Sequence, residues 1–207
     1  MRGGLLSTKR VCHGIRRVVT VAMLGTAVVS GCKEEPMEQH KGLITMKGSP
    51  LTLLGPQLKP PVTAPDCELV ANDLSAVKLS SFRGKVCIIC SVPSLDTPVC
   101  DTMTRRFNEA AAGLGDDVVV LTISMDLPFA QKRWCGSAGI DNVQTLSDYR
   151  NAAFGSAWGV LIEELRLLAR AVFVVDKDGV IRYKELVGEL TSEPDYDAAL
   201  NAAKALL

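Results

Sequence analysis

The 207-residue chain has only two histidines, His13 and His40, and none after residue 40. Without histidine the rest of the chain can hold no Cys-His nucleophile pair, no serine triad and no mixed Cys/His zinc site. Aromatic residues are also scarce, at 5% against 47% hydrophobic overall, so the core has to be aliphatic. There is no basic patch. Five of the 23 Lys and Arg side chains fall in the first 31 residues, which hold no acid, and the remainder is mildly acidic, with 18 basic against 23 acidic side chains. That balance offers no footing for nucleic acid. No internal repeat and no low-complexity stretch is present, and no metal, nucleotide or organic cofactor is indicated.

The basic N-terminus leads into an uncharged run, residues 18–29, which is too short to cross a bilayer as a stable helix but suits the apolar region of an export signal. It is followed by Val29-Ser30-Gly31-Cys32, which resembles the lipobox of bacterial lipoproteins. That resemblance implies that Cys32 carries a lipid and begins the mature chain. Lys33 stands where an Asp would imply inner-membrane retention, so the expectation is a periplasm-facing anchor in the outer membrane. The chain thus divides into a signal peptide (1–31), a polar tether (32–42) and one domain (43–207).

Seven cysteines need sorting. Cys12 and Cys32 belong to the export segment, leaving Cys67, Cys87, Cys90, Cys100 and Cys135. An odd number in an exported domain argues for at least one thiol with its own role. Cys87 and Cys90 have the spacing of a redox pair, but they lie in an apolar run with the character of a buried strand. Three residues of strand advance about 10 Å and place the two side chains on opposite faces, beyond the reach of a disulfide. They are expected to be packing groups, as is Cys67.

Cys100 differs. The stretch 91–100, SVPSLDTPVC, follows that strand and precedes helical periodicity. Thr97 is expected to cap the helix and Pro98 to open it, which places Cys100 in a first turn where several N–H groups lack partners. The helix end favours a thiolate there. Asp101 opposes it, being a carboxylate beside the sulfur.

Along the chain, residues 43–46 and 51–54 flank Lys47-Gly48-Ser49-Pro50 as a β-hairpin. Prolines make 55–65 an extended connection. Short strands are expected at 67–69 and 77–79, then the strand ending at Cys90. A helix follows Cys100, with Met103, Phe107, Ala110, Ala111 and Leu114 on its apolar side. Residues 118–123 read as a buried strand. Pro128 opens another helix, which Gly136 is expected to stop just after Cys135. Ser147 is expected to cap a helix over 148–157. Residues 171–175 and 180–186 form a second hairpin, and Thr191-Ser192-Glu193-Pro194 opens a C-terminal helix. This order predicts an α/β thioredoxin-like domain with a mixed central sheet and an N-terminal hairpin.

The block Pro93-Ser94-Leu95-Asp96-Thr97-Pro98-Val99-Cys100 contains the P-x-x-x-T-x-x-C pattern of peroxiredoxins. With it, Thr104-Arg105-Arg106-Phe107-Asn108, the run 126–135 (DLPFAQKRWC), Ala169-Arg170-Ala171 and residues 191–199 resemble the thiol peroxidases of the atypical two-cysteine type. The resemblance covers roughly residue 44 onward. It implies that Cys100 is the peroxidatic cysteine, oxidised by a hydroperoxide to a sulfenic acid. Thr97 then hydrogen-bonds the peroxide, Pro93 shields the site from water, and Arg170 stabilises the thiolate and polarises the peroxide. Cys135 is implied as the resolving cysteine, forming an intramolecular disulfide with Cys100 after local rearrangement of both helices. A thioredoxin-like donor reduces it. A homodimer is also implied. Between Trp158 and Arg170 the chain departs from the family, carrying Leu161-Ile162-Glu163-Glu164-Leu165 in place of a longer Gly-Pro loop. From the residues alone, two other readings stay open: an envelope thiol-disulfide exchange protein, or a redox sensor of the same fold.

Overall fold

A computed structural model of the chain describes residues 37–207. The export signal, Cys32 and the first part of the tether, to residue 36, therefore lie outside the described residues. The first hairpin pairs β1 (Gln39–Met46) with β2 (Ser49–Leu54). Lys47 and Gly48 turn it with positive φ angles of 51° and 78°, the pattern of the two-residue turn that matches strand twist. The strand begins at Gln39, so His40 belongs to it and not to the tether.

The main sheet has eight strands in the order β3 (Val62–Thr63), β11 (Val180–Leu186), β10 (Ala171–Val175), β6 (Val86–Ser91), β7 (Val118–Ser124), β8 (Val143–Ser147), β4 (Glu68–Val70) and β5 (Ala76–Lys78). Only β6–β7 and β7–β8 are parallel among these pairs, with the others antiparallel. The sheet is mixed, as expected. One core lies on each face. On one, α1 (Pro98–Ala111), α2 (Pro128–Ala138) and α4 (Tyr196–Lys204) cover Ile88, Cys90, Val120, Val172 and Val174. On the other, β1, β2 and α3 (Ala153–Ala157) cover Cys87, Ile89, Leu121 and Phe173. There Trp158 packs edge-on to Phe173 at 4.9 Å between centroids. Cys87 and Cys90 thus face opposite cores, as strand alternation requires. Both are free, as is Cys67. Burial raises the Cys67 thiol to about 12 and the Cys87 thiol to about 11, and it pushes Cys90 up further. All three stay protonated at neutral pH.

Several boundaries differ from the sequence reading. Helix α2 runs through Gly136 and ends at Gly139, whose φ of 65° gives the left-handed C-terminal cap. Ser147 closes strand β8, and although its Oγ accepts the Tyr149 N–H at 3.4 Å no helix starts there. The helix after it is confined to α3, because Ala152 adopts a φ of 49°, and the Asp148 carboxylate accepts the N–H groups of Phe154 and Gly155 instead. The C-terminal helix starts at Tyr196, where Asp195 accepts from Ala198 N–H at 2.9 Å. Leu161 and Ile162 form β9, a short third strand on the first hairpin. Its turn is fastened by Glu164, which accepts the Thr52 N–H at 3.0 Å.

Candidate active site

Strand β6 delivers the chain to the site at its C-terminal end, between β7 and β10. The turn that follows is held by Asp126, just beyond β7. Its carboxylate accepts from Ser94 Oγ and from Leu95 N–H, both at 2.8 Å. Pro93 is buried in this turn. Helix α1 then starts with Pro98 in its first turn and Cys100 two residues later.

Thr97 occupies the N-cap position, yet its side chain makes no capping bond. Its Oγ1 lies 2.9 Å from Ser94 O and 2.8 Å from Cys100 Sγ. A hydroxyl has one proton, so it donates to the Ser94 carbonyl while the sulfur is a thiol and can turn to donate to the sulfur once that is an anion. The capping role is absent because Cys100 Sγ stands where the hydroxyl points.

Cys100 is fully buried, and its second partner is Arg170. The guanidinium Nη2 donates to Cys100 Sγ at 3.4 Å and to Leu190 O at 2.9 Å, and Nη1 reaches Met103 Sδ at 3.6 Å. Arg170 is 1% exposed. Among the described residues it forms no ion pair, and its Nε has no hydrogen-bond partner. A buried cation without a carboxylate is stabilised by developing negative charge, and the sulfur is where it points. A strand-edge salt bridge, the plain alternative for this arginine, is not what the structure contains.

Asp101 does not face the sulfur alone. Its two oxygens accept from Arg105 Nε at 2.9 Å and from Trp134 Nε1 at 3.1 Å. Arg105 also donates to Ala138 O at the end of α2, so the pair stitches α1 to the helix that carries Cys135. Arg106 pairs with Glu193 at the surface. At the start of α1, Leu95, Asp96, Thr97, Pro98, Asp101 and Trp134 line a shallow depression of 320 Å³.

Cys135 is half-buried and free, with its Sγ 3.4 Å from Thr145 Oγ1. The two thiols have different partners, Thr97 and Arg170 for Cys100 and Thr145 for Cys135. The structure brings Cys100, Thr97, Pro93 and Arg170 to one site and leaves Cys135 on the neighbouring helix. Sequence reasoning missed Asp126, Met103, the Leu190 carbonyl and Thr145. Asp126 carried one faint signal, an acid directly between a buried strand and a proline-led helix.

A family model described as redoxin matches residues 59–200. The thiol peroxidases of Halalkalibacterium halodurans and Bacillus subtilis are 57% and 56% identical over 164 residues, covering 79% of this chain and 98% of each of theirs. Among solved structures, a peroxiredoxin-like protein from Aquifex aeolicus aligns with a TM-score of 0.76 at 45% identity, covering 81% of this chain and 99% of its own. These relatives leave thiol-disulfide exchange and redox sensing as the less favoured readings. With a thiol held between an arginine and a threonine on a thioredoxin-like fold, the chain belongs to the redoxin family, among its thiol peroxidases, and reduces peroxide at the expense of thiols.

Proposed function

We propose that Cys100 is the atom that meets peroxide and that Cys135 resolves it. The observation that carries this reading is the pair of donors at one buried sulfur, Arg170 Nη2 at 3.4 Å and Thr97 Oγ1 at 2.8 Å. The Cys100 thiolate attacks the terminal oxygen of a hydroperoxide, the O–O bond breaks, and the alkoxide or hydroxide leaves and takes a proton. Arg170 and Thr97 hold the charge that moves from sulfur to leaving oxygen, and the buried Pro93 keeps water from the sulfur. The Cys135 thiolate then attacks the sulfenic sulfur. A disulfide forms, and hydroxide leaves as water. A thioredoxin-like dithiol regenerates both thiols by exchange. Hydrogen peroxide and organic hydroperoxides both present the terminal O–O bond that this step breaks.

The lipobox-like stretch supports a lipid anchor at Cys32, with the domain facing the periplasm and the outer membrane as its surface. Exposed Leu127 and Phe129, 52% and 65% accessible beside the site, support a homodimer that covers them. The test is intact-mass and disulfide mapping of the full chain before and after one equivalent of H2O2. Loss of two thiols with Cys100 joined to Cys135 is expected, and a Cys100 that stays reduced or pairs elsewhere overturns the two-cysteine cycle. For the anchor, Cys32→Ala should move the protein from the membrane fraction to the soluble one. Unchanged partition removes the lipid from the account.

A further inference from the structure

Cys135 Sγ is one end of a hydrogen-bond chain. Asn72 Nδ2, from the β4–β5 turn, donates to Thr145 Oγ1 at 2.8 Å, and Thr145 Oγ1 lies 3.4 Å from Cys135 Sγ. All three line one open groove of 620 Å³, while Thr145 itself is 2% exposed. An amide nitrogen has no lone pair to offer, so the Thr145 proton cannot go to Asn72. The Cys135 sulfur can accept that proton, and its thiol can equally donate to the second lone pair of Thr145 Oγ1. Asn72 therefore orients the hydroxyl, and the contact can run in either direction while Cys135 is a thiol, with Thr145 donating once the sulfur is a thiolate.

We infer that Thr145, oriented by Asn72, sets the redox poise of Cys135 by holding its reduced form. The inference rests on the reading of Cys135 as the resolving thiol. A thiol donates or accepts this bond, and a thiolate accepts it. Once joined to Cys100, the sulfur has lost its proton and charge and is a poorer acceptor. It also has to leave β8 to come within 2.0–2.1 Å of Cys100 Sγ. The bond thus belongs to the dithiol alone, and it biases the equilibrium against the disulfide. Thr97 contacts Cys100 in the same manner, so each sulfur of the cycle has a threonine of its own, and the second regulates resolution and not peroxide attack.

The experiment equilibrates the full chain with mixtures of reduced and oxidised dithiothreitol. In that exchange, protein dithiol plus oxidised reagent gives protein disulfide plus reduced reagent. The Cys100–Cys135 fraction is read by alkylation and mass. Thr145→Val should raise the equilibrium constant for disulfide formation roughly two- to ten-fold, the value of one hydrogen bond, which is about 10 to 30 mV more reducing. Thr145→Ser keeps the hydroxyl and should match the wild type. Asn72→Leu, at a partly exposed position, should move in the same direction as Thr145→Val and gives the readout if the buried substitution fails to fold. An unmoved Thr145→Val, or a Thr145→Ser that behaves like it, overturns the inference alone. An unmoved Asn72→Leu removes Asn72 from it. Absence of any Cys100–Cys135 disulfide in the wild type overturns the two-cysteine reading and this inference together.

Discussion

Thr97 and Arg170 act on the same sulfur by different physics, and substitution separates them. The Thr97 hydroxyl caps nothing, so Thr97→Val should lower stability by less than the roughly 1 kcal/mol of a lost N-cap, while peroxide reduction falls about 10²-fold, as when one charge-stabilising donor is removed. Thr97→Ser should restore most of the rate. Chemical denaturation together with stopped-flow peroxide reduction checks both, and a full cap-sized stability loss with an unchanged rate would return Thr97 to a structural role. Arg170→Lys keeps the charge but loses the planar fork that reaches Cys100 Sγ and Leu190 O with one nitrogen. Its rate constant for peroxide should fall at least as far as that of Thr97→Val. A Lys variant with wild-type kinetics would show that charge alone suffices.

At the scale of elements, helix α2 offers the clearest test. Gly136 lies inside it with nothing within 4 Å of an added Cβ, whereas Gly139 holds a φ of 65° at its end. Gly136→Ala should stabilise the protein by about 0.5–1 kcal/mol, and Gly139→Ala should destabilise it by about 1 kcal/mol; a denaturant titration reads both signs. The reverse order would place the end of the helix where the sequence suggested. That misreading is informative, since two glycines three residues apart are equivalent as letters and only the backbone shows which one turns left-handed. The long apolar strands, the Lys47-Gly48 hairpin and the Pro98 helix start were legible because each carries its own period or turn chemistry. Strand β8 was not. Its Thr145 and Ser147 are buried with their hydroxyls bonded to Asn72, Cys135 and Asp126, and buried polar residues look on paper like a loop. Cys100, Thr97, Pro93 and Arg170 were legible as a motif. Asp126 and the Leu190 carbonyl were not, because their role is set by chain segments distant in sequence.

Across the whole molecule, the N-terminal hairpin reaches the active site through one carboxylate. Glu189, in the connection between β11 and α4, accepts from Thr45 Oγ1 and Thr191 Oγ1, each at 2.7 Å, and from the N–H groups of Lys47, Gly48 and Thr191. These donors, the Thr191 hydroxyl foremost, hold its carboxyl far below the ordinary 4.5. Leu190, the next residue, bonds through its N–H to Thr45 O and through its carbonyl to Arg170. A carboxylate with a depressed folded value contributes stability that is fully present above the unfolded value and lost as the pH falls through the folded one. Glu189→Gln, which presents an N–H₂ to donors that need an acceptor, should therefore be less stable than the wild type at pH 7. The gap should narrow as the pH drops below 4.5, where the unfolded wild-type chain takes up a proton on this carboxyl while the folded one still holds it ionised. Other acids titrate in both proteins and cancel in the difference. Because the same connection seats Arg170, Glu189→Gln should also slow peroxide reduction at pH 7 by roughly ten-fold, within the range expected when a reacting group is displaced by less than 1 Å. Glu163→Gln is the control, since that carboxylate only accepts an exposed bond from Gln39. Thermal unfolding from pH 7 to pH 3 with peroxidase rates at pH 7 decides the matter, and a Glu189→Gln protein whose stability gap is constant with pH would separate the hairpin from the charge.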